Sequence, residues 1–167
     1  MTLSEFNIQV REKAGQDLFK CCGSTEWVNK LMKYFPFSSI ENFKILSDRS
    51  WYSCKEKDWL EAFSHHPKIG DKTGADIKHT TTIEWAKQEQ SAVKEAGQSV
   101  LTNLAKANKT YENKFGFIFI VYATGKTATE MLNLLNERLN NERENELHIA
   151  INEQNKITHL RIDKLLS

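Results

Sequence analysis

Apolar residues recur at helical spacing along most of the chain, and eight helices are predicted from that rhythm: 3–14, 24–34, 39–51, 56–64, 83–96, 98–114, 127–140 and 143–165. Several starts carry a capping pattern, with a hydroxyl residue followed three positions later by glutamate. These are Ser38 with Glu41, Thr81 with Glu84, and Thr127 with Glu130. Residues 117–123, Phe-Ile-Phe-Ile-Val-Tyr-Ala, break the rhythm. They are aromatic and β-branched, which favours a strand. No second strand-like run is present to pair with it, so a buried irregular segment crossing the core is expected. The longest irregular stretch runs from His65 to Thr82, and a loop of that length in a compact domain is usually functional. The fold class expected is all-α, a single domain spanning 1–167 with about eight helices.

Polar residues that fall on apolar faces carry the functional signal. Stepping 100° per residue along 83–96 gathers Trp85, Ala86, Ala92, Val93 and Ala96 in one arc. Glu89 lies in the middle of that arc. An inward carboxylate is costly unless paired or hydrogen-bonded. A structural ion pair and a functional group explain it equally well. In the last helix, Arg161 sits inside the stripe of Leu147, Ala150, Ile151, Ile157, Ile162 and Leu165. Its permanent charge needs an anion. Glu89, another acid or a substrate carboxylate would serve, and an arginine snorkelling at the stripe's edge is the plain alternative.

A third feature is His66-Pro67. Proline forces the preceding residue out of the helical region, and Gly70 permits a tight turn. The product is a stiff corner presenting an imidazole suited to proton transfer near neutral pH. His65 is expected to be the solvated neighbour, and His79, His148 and His159 surface residues.

Charge and cysteine use narrow the class. Twenty-three basic residues balance twenty-two acidic ones, without a basic cluster, which argues against nucleic acid. Three cysteines, two of them adjacent, do not make a disulfide framework. No apolar run approaches bilayer length, and neither end resembles a targeting signal, so a cytoplasmic protein without a membrane partner is expected. Walker, dinucleotide-binding, nucleophile-elbow and zinc-protease motifs are absent.

The chain resembles the 2-oxo-4-hydroxy-4-carboxy-5-ureidoimidazoline (OHCU) decarboxylases along nearly its whole length. The resemblance rests on Leu3-Ser4-Glu5-Phe6-Asn7, Cys22-Gly23-Ser24-x-x-Trp27 and Phe35-Pro36-Phe37. It continues with Trp59-Leu60-x-Ala62-Phe63-x-x-His66-Pro67-x-Ile69-Gly70 and Trp85-x-x-x-Glu89-Gln90. It closes with Tyr111-x-x-Lys114-Phe115-Gly116-Phe117, Arg138-Leu139-Asn140-Asn141 and Ile157-x-x-Leu160-Arg161.

That resemblance implies an all-helical homodimer that decarboxylates OHCU to (S)-allantoin in urate degradation, with no metal and no organic cofactor. It implies catalytic roles for His66, Glu89 and Arg161. Substrate contacts would fall on Pro67, on Ala86, Lys87, Gln88 and Gln90, and on Phe119, Ile120, Val121, Tyr122 and Ala123. Many members of the family carry serine at the position of Ala86, so one hydroxyl contact worth about 0.5–1.5 kcal/mol is expected to be missing. Urate oxidase and hydroxyisourate hydrolase would act upstream as separate proteins. The rival readings are a non-catalytic helical module binding a ureido or purine-derived ligand, and a metal-dependent hydrolase built on His65, His66 and Glu89.

Overall fold

Nine α-helices account for the regular structure among the described residues, with no strand. The computed structural model describes residues 1–70, 80–91 and 96–167. The helices are α1 (Leu3–Asn7), α2 (Arg11–Cys22), α3 (Thr25–Leu31), α4 (Ile40–Tyr52) and α5 (Glu56–Ser64), followed by α6 (Thr80–Glu89), α7 (Gln98–Phe115), α8 (Ala128–Arg138) and α9 (Arg143–Leu165). A 3₁₀ turn, Met32–Tyr34, extends α3. No described helix is long and apolar enough to cross a membrane.

The chain divides into two units, Met1–Ala62 with Asn155–Ser167, and Phe63–Gln154. The first unit is built on stacked aromatic rings. Phe37 and Phe43 lie face to face with centroids 4.0 Å apart, and Phe6 stacks on both. The Asn7 side chain bonds the Phe37 carbonyl at 2.8 Å and its N–H at 2.9 Å, fixing the loop that delivers this ring. Trp27 is fully buried, with its indole N–H satisfied by the Ser47 carbonyl at 3.1 Å. Residues 155–165 of α9 add Ile157, Ile162 and Leu165 to this core.

The second unit centres on Tyr111, Phe115, Phe117 and Phe119, whose rings meet edge-on or tilted at 4.6 to 6.1 Å. Met131 and Leu135 of α8, with Leu147, Ala150 and Ile151 of α9, complete its apolar interior.

Local signals explain most boundaries. Thr127 caps α8 with the expected reciprocal box to Glu130. A box not anticipated, Thr2 with Glu5, starts α1. The predicted box at Ser38 sits one residue early, because Ser39 is the residue whose hydroxyl accepts the Asn42 N–H at 3.0 Å. The predicted helix 3–14 is in fact two. Extended backbone at Val10 interrupts it, and α2 then runs to Cys22 through Gly15, a residue that weakens the helical pattern.

The predicted 83–96 helix is also shifted. It begins at Thr80, so Thr81 is not its cap, and it ends at Glu89 with a turn at Gln90. Ala96 is outside any helix, and residues 92–95 fall outside the described residues, as does His79. His148 is exposed as expected, whereas His159 is half-buried against Asp48 Oδ1 at 2.6 Å. Segment 117–123 is irregular and mostly buried, as the missing strand partner required.

Candidate active site

The imidazole corner forms where α5 stops. Pro67 cannot continue a helix, and the His66 N–H closes the last turn onto the Phe63 carbonyl at 3.1 Å. His66 itself is half-buried, with Nε2 shielded from solvent. Ile69 anchors the corner in the core at 6% exposure, and its carbonyl accepts from the buried Asn108 amide of α7 at 2.9 Å. Gly70 turns with φ of 83°, the left-handed conformation glycine adopts without strain. Its N–H reaches the Gln90 side-chain oxygen at 3.2 Å. That bond ties the corner to the C-terminal end of α6. Lys68 also pairs with Glu112 of α7 at 2.6 Å, but both side chains are over two-fifths exposed, so this pair adds little.

Glu89 is the last residue of α6 and is 9% exposed, so the carboxylate flagged by the helical wheel is indeed inward. Ala86, one turn earlier, is buried, and its carbonyl accepts the Gln90 N–H at 3.0 Å. Lys87 and Gln88 point to solvent and Gln90 is half-buried. Of residues 86–89, Ala86 and Glu89 therefore face the interior.

The third component is the irregular segment. Its first ring, Phe117, packs on Phe63 of the α5 terminus at 5.5 Å, which joins the segment to the base of the His66 corner. Phe119, Ile120, Val121 and Ala123 are buried and Tyr122 is half-buried. Polar side chains hold the backbone where no ladder exists. Arg138 Nη1 donates to the Ile120 carbonyl at 2.8 Å, and the Tyr122 N–H donates to Glu153 at 2.7 Å. Lys126 Nζ donates to the Tyr122 carbonyl at 2.8 Å.

Behind this segment lies a buried charge network that the sequence reading did not assign. Glu146 is fully buried and Arg138 is 8% exposed. Arg138 reaches Glu146 Oε1 through Nε at 2.7 Å and Nη2 at 2.5 Å. The Tyr111 hydroxyl donates to the same oxygen, and Asn141 Nδ2 donates to Oε2 at 2.8 Å. Burial pushes the Tyr111 phenol far above its ordinary range, and the carboxylate beside it adds to the shift, so the phenol stays a proton donor. The signal that picked out Glu89 and Arg161 was available here too. Glu146 falls within about 60° of Ala150, Ile157 and Arg161 on the wheel, and Arg138 continues the spacing of Met131 and Leu135.

The structure thus gathers His66, Pro67, Ala86, Glu89, Gln90 and residues 119–123 in one unit. Arg161 belongs to the other unit, where it is 1% exposed. There it acts on the Cys21 thiol; burial nonetheless pushes that thiol up to about 12, against the pull of the guanidinium. A separate cleft of about 780 Å³ runs along α7, lined by Gly70, Leu101, Ala105, Asn108 and Glu112. None of the expected catalytic residues lines it. Among the described residues no three His, Cys, Asp or Glu side chains are grouped to hold a metal ion.

Comparison with known proteins brings a consistent set of matches. A family model described as OHCU decarboxylase matches residues 7–163. The chain is 40% identical over 154 residues to the uric acid degradation bifunctional protein TTL of Arabidopsis thaliana, covering 92% of this chain. It spans 48% of that relative's length. A 2-oxo-4-hydroxy-4-carboxy-5-ureidoimidazoline decarboxylase of Halalkalicoccus jeotgali is 24% identical over 99% of this chain and 92% of its own. Among solved structures, an OHCU decarboxylase in the presence of (S)-allantoin superposes with a TM-score of 0.77 at 38% identity, covering 90% of this chain and 97% of that one. An (S)-allantoin synthase at 15% identity and a TM-score of 0.73 shares the fold.

Proposed function

Because the chain belongs to the OHCU decarboxylase family, we propose that it decarboxylates 2-oxo-4-hydroxy-4-carboxy-5-ureidoimidazoline to (S)-allantoin and carbon dioxide, in urate degradation. The observation that carries this reading is the likeness to the OHCU decarboxylase solved in the presence of (S)-allantoin, at 38% identity over 90% of this chain. The local chemistry supports it. A half-buried imidazole, an inward carboxylate and a buried irregular segment suit a small polar substrate.

Decarboxylation leaves an electron pair that needs a sink, and this substrate contains one. As the bond to the carboxylate breaks, its pair forms a carbon–carbon double bond with the neighbouring imine carbon. The imine π pair moves to nitrogen, which takes a proton. The resulting enol then gives up its hydroxyl proton and gains one at the ring carbon, leaving the carbonyl of allantoin. The substrate carries its own sink, so the reading requires no cofactor.

The residues' tasks follow from those steps. His66, held rigid by Pro67 and the Ile69 anchor, moves the protons, an effect of about 10²–10⁴ in rate. Glu89 orients His66 or binds the hydroxyl and ureido donors. The segment 119–123 and the Ala86–Gln90 turn position the ring. Proton delivery to one face gives a single enantiomer. The reading extends to a homodimer acting in the cytoplasm.

Urate supplied with urate oxidase and hydroxyisourate hydrolase generates the substrate in the cuvette. Adding this protein should release carbon dioxide and build up (S)-allantoin alone, read as optical rotation of a single sign. A racemic product formed at the rate of the uncatalysed control would overturn the proposal.

A further inference from the structure

Residues 119–122 are held at three successive points. The Arg138 guanidinium lies over the Phe119 ring at 4.6 Å and donates to the Ile120 carbonyl at 2.8 Å, while Glu153 accepts the Tyr122 N–H at 2.7 Å. The peptide bond between Ile120 and Val121 is trans, so its C=O and N–H point in opposite directions. With the Ile120 carbonyl turned to Arg138, the Val121 N–H must point away from Arg138. By the same geometry, the Val121 carbonyl points away from Glu153. Val121 is 6% exposed, and no hydrogen bond among the described residues engages either of these main-chain groups. Buried backbone donors and acceptors are nearly always paired. A ureido or lactam group, with an N–H beside a C=O, would supply both partners at once.

We infer that Arg138, backed by Glu146 and Tyr111, is a positioning residue that orients the Val121 N–H and C=O toward the substrate's ureido group without touching the substrate. This inference rests on the decarboxylase reading for the identity of that group. The planar fork of arginine is what the role demands: two nitrogens engage Glu146 Oε1 while a third reaches the Ile120 carbonyl. A lysine ammonium keeps the charge but cannot serve these separate directions together.

Arg138→Lys is the test, with two readouts. In the variant, amide hydrogen exchange over 117–123 should rise about tenfold or more while α7 changes by less than about threefold, and KM should rise about tenfold with kcat within about threefold, the pattern of lost uniform binding. Unchanged exchange shows that Arg138 does not hold the segment, and raised exchange with an unchanged KM shows that the segment does not bind substrate; either overturns the inference. Should the wild-type protein prove inactive toward the substrate, the decarboxylase reading fails, and the exchange arm still decides whether Arg138 fixes the segment. If Arg138→Lys does not fold, Tyr111→Phe removes one donor from Glu146 and should show the same pattern at about threefold; no change in either readout would overturn the inference.

Discussion

Glu146→Gln replaces one oxygen by an NH₂ group with almost no change of shape, which makes it a clean probe of the buried network. Four donors converge on the carboxylate: Arg138 Nε and Nη2 and the Tyr111 hydroxyl on Oε1, and Asn141 Nδ2 on Oε2. A glutamine can keep its oxygen on the side of Arg138 and Tyr111. Its NH₂ then meets the Asn141 NH₂, donor against donor, until the half-buried Asn141 amide turns. The larger loss is charge, since Arg138 stays buried and cationic at 8% exposure. Removing one partner of a buried pair costs about 3–5 kcal/mol. The low end applies here, because Arg138 keeps the Ile120 carbonyl, the Phe119 face and a neutral amide oxygen. A loss of about 3 kcal/mol should lower the thermal midpoint by about 6–12 °C for a chain of this size. The assay is circular dichroism at 222 nm on heating. Combining Glu146→Gln with Arg138→Met should cost less than the sum of the two, with a coupling of at least about 2 kcal/mol. A midpoint within about 1 °C of the wild type, or additivity in the double variant, would refute the claim that these groups form one buried unit.

Other outcomes follow from the same structure. Burial raises the Asp17 carboxyl, but the Lys13 and Lys20 ammonium groups, each at 2.8 Å, outweigh it and leave its pKa below the ordinary value. A depressed acid stabilises the fold above its unfolded pKa of about 3.9 and loses that contribution as pH falls through the lower folded value. Urea melts of wild type and Asp17→Asn should therefore differ by on the order of 1 kcal/mol at neutral pH and converge in acid, and an equal gap at both would count against the pairing. All three cysteines are buried, with Cys21 pushed up to about 12 and Cys54 to about 11. A thiol reagent at pH 8 should leave them unmodified until urea is added, and rapid labelling of native protein would contradict this. Ala86→Ser restores a hydroxyl on the buried side of α6 and should lower KM by roughly 2- to 12-fold, from a hydrogen bond of about 0.5–1.5 kcal/mol; a raised KM would mean that the position does not face substrate.

The features legible in the sequence are those fixed by local chemistry. The range of α5 is legible because Pro67 lies just beyond it, and Thr127 with Glu130 marks the start of α8. Inward placement of Glu89 and Arg161 followed from angular position alone, and both are buried. The misses share a cause. The helix α2 contains Gly15 and a buried Asp17, which blur its apolar face, so its second half carries no clear helical pattern in the sequence. Glu146 and Arg138 gave the same inward signal as Glu89, yet nothing local says which inward charges face each other across 8 residues and two helices. That pairing depends on how α8 and α9 pack around the segment 117–123. The segment's irregular path was legible only by elimination, from the lack of a second strand.

In the proposed mechanism the imidazole of His66 carries the protons of the decarboxylation. The most direct test of that role is the initial rate of optically active allantoin formation by His66→Ala, with substrate generated from urate and the fold checked by circular dichroism. A folded variant slower than wild type by about 100- to 10,000-fold is the result predicted. A folded variant that keeps the wild-type rate and the same product hand would show that His66 does not carry these protons.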